Sequence, residues 1–359
     1  MKSKWLSESL AGHKVLLVTN LETEFAGKLF YNSYGPLVVN QYFEALTDLG
    51  AEVTISNLDT ALKLLSQADQ ADKPDWIVNI CAGFNSLESE NIIQAIAALS
   101  CIPCFPCRGD VAIIAEEKII SKHLAQQAGF RIPRTIRNLE ELSNRNIYVK
   151  KRINSGDSKH IKLMFSEGKL QPINSDEFIE PYISGSDVEL CCLFDAEKNE
   201  HIILSARALN VSDTGTGPFL HDSSMKSSSD DYNPEQKFQF EWLEIPTTEA
   251  VCDAVKRLGS LFHDSFVFRI DGRAIGFLKP DDQISLDNFI FLEINTMPTI
   301  PGDDGWLAPD LLKVANINEN DLSLFPDLSS GQIGLRLLML SWSKLYVQSK
   351  SEDGNIPVL

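Results

Sequence analysis

Short apolar runs alternate with segments of helical periodicity over the first third of the chain. Four runs are predicted as strands, and the first of them has the continuous apolar character of a strand that is buried on both faces of a parallel sheet. They lie at residues 14–19, 51–56, 75–81 and 102–105. The segments between them carry apolar side chains at the spacing of amphipathic helices. This α/β alternation predicts a doubly wound domain over residues 1–107.

The pattern changes after the first domain. Residues 110–129 have the apolar spacing of one long helix. A predicted strand at residues 146–151 then leads into a polar hairpin tip that contains Gly156 and Ser158. Backbone N–H groups at such a tip can cover phosphates, although a polar glycine turn is more often only a turn. We assign residues 108–186 to a small second domain.

The third predicted domain comprises residues 187–359. It contains a long polar segment, residues 205–237, whose central cation is Lys226. Structureless segments longer than about 15 residues are uncommon in a compact domain unless they bind or cover something. We therefore expect this segment to form a lid. A predicted helix at residues 247–263 separates it from two further apolar strands.

The two strands near the end of the third domain carry side chains with oxygen ligands. One strand ends at Asp271, and the other carries Glu293 and Asn295, which are two residues apart and share one strand face. Pairing the strands would bring together three ligands suited to Mg²⁺. Arg269 adds a cation of the kind that holds phosphate or an oxyanion. The alternative is that the three oxygen-bearing residues are ordinary polar residues at strand ends, and the presence of Arg269 counts against it.

Composition excludes some classes of partner. The chain has 359 residues with 32 basic and 50 acidic side chains, which gives a formal net charge of −18. Such a charge repels nucleic acid and anionic membranes, so we expect neither as a partner. No run reaches the roughly 18 apolar residues of a membrane span. The N-terminus lacks an apolar signal core, so we expect a cytoplasmic location.

Several common motifs are absent or incomplete. The seven cysteines are odd in number and fit a reduced compartment. Cys101, Cys104 and Cys107 have CxxCxxC spacing, but no fourth cysteine or nearby histidine completes a zinc site, so we expect a structural role. The first strand is not followed by GxGxxG, and the chain contains no GxxxxGK[ST]. Dinucleotide and P-loop binding are therefore excluded.

The order of these features resembles the ATP-grasp ligases. The D-alanine–D-alanine ligase type is similar over nearly the full length of the chain. Three segments carry the resemblance: Glu117-Lys-Ile-Ile-Ser-Lys122, Glu180-Pro-Tyr-Ile-Ser-Gly-Ser-Asp187, and the RxD and ExN motifs that begin at Arg269 and Glu293. The resemblance implies an ATP-grasp fold of three domains, with the doubly wound domain first.

The resemblance also implies a site for ATP and for one or two Mg²⁺ ions. Asp271, Glu293 and Asn295 would hold the metal, and Arg269 and the lid residue Lys226 would act in catalysis. In the nucleotide site, the two lysines would contact the phosphates, Glu180 and Ile183 would hold the adenine, and Asp187 would bind the ribose. The implied nucleotide-binding residues are Lys118, Lys150, Gly156, Ser158, Glu180, Tyr182, Ile183 and Asp187.

The chain departs from the D-alanine ligase pattern where the amino-acid substrates would lie. Gly83 follows Cys81-Ala, where that family has a His-Gly pair, and a Met-Pro-Thr sequence follows the ExN motif in place of Ser-Pro-Gly. The acid that would hold the first amino group has no clear counterpart. The implied substrate residues are Glu22 or Glu24, Gly83, Met297 and Gly302.

These departures favour the same chemistry on other substrates. We expect an ADP-forming ligase that joins an amino acid to a carboxylate or a vinylogous carboxylate. The resemblance extends to a branch whose acceptor is mycosporine-glycine, a cyclohexenone enaminone. Three alternatives stay open: a D-alanine–D-alanine ligase of cell-wall synthesis, an ATP-dependent kinase, and a nucleotide-binding protein without catalysis. Relatives are commonly dimers, so a homodimer also stays open.

Overall fold

The N-terminal part of the chain forms a four-stranded parallel sheet. The computed structural model describes residues 9–19, 24–25, 28–29, 36–67, 73–81, 91–143, 146–153, 161–165, 172–212, 239–262, 265–296, 298, 307–315 and 325–348. The first elements are β1 (Lys14–Val18), β2 (Glu24–Phe25), β3 (Lys28–Leu29), α1 (Pro36–Asp48), β4 (Glu52–Ser56), α2 (Leu58–Gln67), β5 (Trp76–Asn79), α3 (Ile92–Leu99) and β6 (Cys104–Phe105). The parallel order is β4-β1-β5-β6, and β2 and β3 pair separately.

Both faces of this sheet are covered, as the doubly wound prediction requires. Along β1, Val15 and Leu17 pack on the side of α1, whereas Leu16 and Val18 pack on the side of α2 and α3. All four side chains are almost completely buried. The continuous apolar character of the strand therefore reflects burial on two sides.

A small antiparallel sheet follows, preceded by two helices. Its elements are α4 (Gly109–Glu116), α5 (Lys118–Gln127), β7 (Ile147–Arg152), β8 (Lys162–Phe165) and β9 (Glu177–Pro181). The strand order is β8-β7-β9.

The long helix predicted at residues 110–129 is two helices. Glu117 adopts an extended conformation between α4 and α5, and its side chain accepts a hydrogen bond from the backbone N–H of Ile120. A carboxylate is a favourable N-cap because it satisfies an N–H group that has no partner within the helix. The apolar periodicity continues through the break, so the prediction of one helix was wrong. The break makes Lys118 the first residue of α5.

The last part of the chain forms a five-stranded antiparallel sheet with flanking helices. Its elements are β10 (Asp187–Asp195), β11 (Glu200–Ser212), β12 (Gln239–Glu244), α6 (Glu249–Leu261), β13 (Val267–Ala274), β14 (Phe289–Asn295), α7 (Leu307–Val314) and α8 (Ser330–Ser343). The order is β12-β11-β10-β13-β14. The polar segment predicted from residue 205 begins as strand, since β11 continues to Ser212. Residues 213–238, which contain the predicted lid, lie outside the described residues.

One face of this sheet is apolar and the other is charged. On β10, Val188 and Leu190 enter the core beneath α4, α5 and α6, together with Phe268 and Ile270 of β13. The residues that alternate with them include the charged Glu189, Arg269 and Asp271. Because alternate side chains of a strand point to opposite faces, burial of the apolar set turns the charged set to the other side.

The N-terminal sheet shares its core with the C-terminal helix α8. Trp342 of α8 stacks near Trp76, with ring centroids 4.8 Å apart, and meets Phe105 edge-on at 5.9 Å. Phe266 and Val267, at the start of β13, belong to the same cluster. The core of the N-terminal sheet therefore includes residues from the predicted third domain. Among the described residues, no helix combines the length and apolar character that crossing a membrane would require.

Trp342→Ala should destabilise the protein strongly, because it removes the aromatic ring that contacts Trp76 and Phe105. Truncation of a buried aromatic side chain to alanine costs about 3–5 kcal/mol. Urea unfolding monitored by tryptophan fluorescence and circular dichroism should show a clearly lower midpoint. Leu99→Ala, at a side chain that is 85% exposed, is the control and should shift the midpoint little. Similar midpoints for the two variants would contradict this account of the core.

Candidate functional site

The predicted oxygen ligands meet on the charged face of the C-terminal sheet. In the antiparallel register of β13 and β14, Asp271 lies opposite Glu293, and Arg269 lies opposite Asn295. Residues directly opposite in an antiparallel pair share a face. The strand pairing that the sequence predicted is therefore present. Among the described residues, no group of three or more His, Cys, Asp and Glu side chains is close enough to hold a metal alone.

Arg269 is held between two carboxylates. Its Nε and NH2 atoms donate to the two oxygens of Asp271 at 2.6 and 2.9 Å. Its NH1 atom lies 3.5 Å from an oxygen of Glu189, which is opposite Asp271 on β10. Burial alone would lower the pKa of Arg269, but Asp271 and Glu189 hold it well above the usual range. The site therefore contains a permanent and oriented cation.

Lys118 brings a second cation to the same face. It begins α5 and its side chain is 7% exposed, with Nζ 3.2 Å from an oxygen of Glu293. The helix break at Glu117 gives Lys118 this position. Each of the two carboxylates in the predicted metal site thus has a cationic neighbour, because Arg269 contacts Asp271 and Lys118 contacts Glu293.

A cleft begins at this charged face and extends along the segment that joins β9 to β10. Tyr182, Ile183 and Asp187 line it, together with Arg273 of β13. Arg273 NH1 donates to Asp187 at 2.9 Å, and the guanidinium lies over the Tyr182 ring, 5.3 Å from its centroid. Arg273 also donates to the carbonyl of Gly185. These contacts fix the shape of the wall between the small sheet and the C-terminal sheet.

Gly185 permits the segment between β9 and β10 to approach the backbone at the end of β13. Its φ is +147°, and a Cβ atom there would lie 2.1 Å from the carbonyl oxygen of Ala274 and 2.4 Å from that of Gly276. Any larger residue at this position would force the two backbones apart.

The structure places Lys150 away from the cleft, contrary to the prediction. Lys150 points to the outer face of the small sheet, where it forms an ion pair of 3.0 Å with Glu177. The next residue, Lys151, shares the inner face with Val149 and lines the cleft. Adjacent residues of a strand point to opposite faces, so only one of the two lysines can reach the cleft. Lys151 therefore replaces Lys150 as the candidate phosphate ligand.

Glu180 is buried against two lysines at the inner end of the cleft. Its side chain is 2% exposed and contacts the Nζ atoms of Lys122 and Lys151. Burial opposes ionisation of Glu180, but the two lysines hold its pKa below the ordinary value. Burial also lowers the pKa of Lys122, an effect that Glu180 counteracts. The carboxylate is thus ionised and compensated inside the protein.

The cysteines do not form a nucleophilic or metal site among the described residues. Burial raises the pKa of the Cys81 thiol to about 12 and that of Cys104 well above its usual value. Cys101 is exposed, whereas Cys107 is buried in the core. Thiols with raised pKa values carry little of the reactive thiolate.

Several predicted site residues lie outside the described residues. Glu24 belongs to β2, but its side chain is not among those described, so it adds nothing to the geometry. The predicted roles of the others remain predictions. They are Glu22, Gly83, Gly156, Ser158, Lys226, Met297 and Gly302.

Three charged residues that line the cleft were not predicted from the sequence: Lys151, Glu189 and Arg273. Glu189 and Arg273 each follow a predicted site residue, Asp187 or Asp271, at a spacing of two. That spacing places a side chain on the same strand face, so the period of the strand was a usable signal. For Lys151, the signal depends on which face of β7 meets α5, and this is a contact between distant segments.

Comparison with known proteins identifies the fold. No protein-family model matches the chain, and no curated protein matches its sequence. A D-alanine–D-alanine ligase from Bacillus anthracis, solved with ATP, is 17% identical with a TM-score of 0.55, covering 93% of this chain and 99% of that one. The VanG D-Ala:D-Ser ligase from Enterococcus faecalis is 15% identical with a TM-score of 0.58, covering 91% and 99%.

A third solved structure differs from these in its substrate. The ATP-grasp ligase PsnB, complexed with a variant of its minimal precursor, Mg and ADP, is 10% identical with a TM-score of 0.51, covering 91% of this chain and 98% of that one. The chain therefore has the ATP-grasp fold, which confirms the predicted fold class. At these levels of sequence identity, the similarity shows the fold alone.

Lys151→Ala should weaken ATP binding much more than adenosine binding, because the ammonium of Lys151 faces the cleft and adenosine carries no phosphate. Hydrogen bonds to charged groups contribute about 1.5–3 kcal/mol, which corresponds to a loss of roughly tenfold or more in ATP affinity. Isothermal titration calorimetry measures both ligands. Lys150→Ala is the matched control and should leave the ratio of the two affinities unchanged. The reverse pattern would restore Lys150 to the site.

Proposed function

We propose that the protein is an ATP-dependent, ADP-forming ligase that makes a C–N bond between a phosphorylated carboxylate, or vinylogous carboxylate, and an amine. The observation that carries the proposal is that Asp271 lies opposite Glu293 on the neighbouring strand. Arg269 contacts the first carboxylate and Lys118 the second. Two carboxylates with an amide and fixed cations suit a metal–phosphate complex better than a neutral ligand. The fold shared with solved ATP-grasp ligases supports this choice.

The nucleotide would lie along the cleft from Tyr182 to Glu293. Glu180 and the backbone near Ile183 would receive the base, and Asp187 the ribose hydroxyls. Lys151 and Lys118 would contact the phosphates. The support is that Glu180, Tyr182, Ile183, Asp187 and Lys151 all line one cleft, and that Lys118 lies beside the candidate metal ligand Glu293.

The residues fit a magnesium site. Asp271, Glu293 and Asn295 offer hard oxygen ligands on neighbouring strands, and Mg²⁺ commonly takes one or two carboxylates together with substrate phosphates. When bound, the metal would neutralise charge on the phosphates. The contacts of Arg269 and Lys118 orient the two carboxylates before any ligand binds.

The proposed reaction has two steps. An oxygen of the first substrate attacks the γ-phosphorus of ATP, the bond to ADP breaks, and a phosphorylated substrate forms. The amine of the second substrate then attacks the activated carbon, phosphate leaves, and the amine gives up a proton. Arg269 would stabilise the negative charge that develops on oxygen, because its guanidinium is fixed beside Asp271.

The identity of the two substrates is a more specific proposal, and it rests on the sequence. We propose an amino acid as the amine, with mycosporine-glycine or a similar conjugated acceptor as the activated group. The support is that the chain keeps the candidate nucleotide and metal residues of the D-alanine ligase pattern but differs around Gly83 and Met297. There the phosphorylated oxygen would be that of a cyclohexenone enaminone and would leave as phosphate when the imine forms.

Asp271→Asn and Glu293→Gln should each reduce ATP turnover at least 100-fold, because each removes one charge from the candidate metal site without changing the shape of the side chain. A step that depends on charge stabilisation loses about 10²–10³ in rate when one group is removed. ADP release at saturating Mg²⁺ measures this, and circular dichroism confirms folding. Asp281→Asn, at an exposed carboxylate, is the control. Turnover near wild type in both site variants would contradict the assignment.

An ADP-release assay with paired substrates should separate the candidate functions. Free amino acids with mycosporine-glycine should give rapid ADP release, and millimolar D-alanine alone should not. A site built for one polar substrate rejects an unmatched one by several orders of magnitude, because buried polar groups stay unpaired. Rapid formation of D-alanyl-D-alanine would identify a cell-wall ligase. A phosphorylated product that accumulates without amine would identify a kinase.

A further inference from the structure

Two lysines share one carboxylate at the inner end of the cleft. Lys122 contacts Oε2 of Glu180, and Lys151 contacts Oε1. The side chains of Lys122, Glu180 and Lys151 are 1%, 2% and 8% exposed. With all three groups ionised, these side chains carry a surplus of one positive charge, and Glu293 is a further carboxylate that acts on Lys122. A positive charge that is only partly compensated in the interior is suited to an arriving anion.

The two lysines differ in what else surrounds them. Lys122 lies over the face of Phe178, with Nζ 4.6 Å from the ring centroid, and is not among the residues that line the cleft. The negative face of an aromatic ring stabilises a cation. Lys151 instead lines the cleft, on the same strand face as Val149. The cation that can turn toward a ligand is therefore Lys151, and Lys122 is the one that stays.

We propose that Lys122 is a positioning residue for polyphosphate: it remains the counter-ion of Glu180, so that Lys151 can turn from Glu180 to the phosphates of the ligand. This inference rests on the proposed function, because it requires an anionic nucleotide in the cleft. Without Lys122, moving Lys151 would leave the Glu180 carboxylate buried and uncompensated. Loss of one partner from a buried ion pair is strongly destabilising, so Lys151 would stay bound to Glu180.

The ratio of ATP affinity to adenosine affinity isolates this effect. Adenosine has no charge to attract Lys151 and leaves the pair with Glu180 in place. ATP must take Lys151 from Glu180, and a ligand shifts an equilibrium only by its differential affinity for the two states. A change in the base pocket affects both ligands equally and cancels in the ratio. A change in the freedom of Lys151 affects ATP alone.

The experiment is a double-mutant cycle on Lys122 and Glu180, with ATP and adenosine binding measured by calorimetry. Lys122→Met should lower the ATP-to-adenosine affinity ratio about tenfold or more, although Lys122 has no place in the cleft lining. Adding Glu180→Gln to Lys122→Met should restore the ratio, because no carboxylate then holds Lys151. Lys150→Met, which removes another buried lysine paired with a glutamate, should leave the ratio unchanged.

The outcomes distinguish the inference from the proposed function. An unchanged ratio in Lys122→Met, or a ratio that the second substitution does not restore, would overturn the role of Lys122. If Lys122→Met does not fold, Glu180→Gln alone decides: it releases Lys151 and should raise the ratio above wild type, and an unchanged ratio would overturn the inference. If the wild-type protein binds neither ligand, the proposed function fails as well.

Discussion

The register of β10, β13 and β14 is the constraint on which the site depends. Over part of β10 and β13 every second residue enters the core, among them Leu190, Phe268 and Ile270, and the residues that alternate with them there include the charged Glu189, Arg269 and Asp271. A slip of one residue would bury the charged set and expose the apolar set. The hydrophobic effect therefore specifies the register, and the register in turn places Glu189, Asp271 and Glu293 side by side. The burial of apolar side chains on one face determines the chemistry on the other.

Charge compensation within the cleft follows from this crowding. Asp271 contacts Arg269, Glu293 contacts Lys118, and Asp187 contacts Arg273. Each partly buried carboxylate thus has a cationic neighbour, which offsets its desolvation. Binding of a charged ligand in such a cleft exchanges one ion pair for another. Affinity then depends on the difference between two sets of contacts, which favours ligands that supply both phosphate and metal and disfavours neutral ones.

The sequence predicted the parts of this site that depend on local periodicity. The period of two along each strand was enough to group Glu293 with Asn295, and the order of motifs was enough for the fold. It failed where a distant contact decides the outcome. Whether Lys150 or Lys151 faces the cleft depends on the pairing of β7 with β9 and the packing of α5, and neither is visible in the strand itself. The helix break at Glu117 was missed because the apolar spacing continues through it, and a single side-chain cap ends one helix and begins the next.

Strand β13 is one of the elements that connect the N-terminal sheet to the charged face. Phe266 and Val267 pack into the core that contains Trp76 and Trp342, whereas Phe268 packs into the core beneath the C-terminal sheet. Arg269 comes directly after this junction, and Asp271 follows two residues later. If the N-terminal sheet holds a substrate, β13 would constrain the distance between that substrate and the guanidinium of Arg269. Reactions between two bound molecules lose much of their rate when the reacting atoms are misplaced by about 1 Å. A junction built into β13 limits that displacement, because consecutive residues of this one strand belong to the two cores.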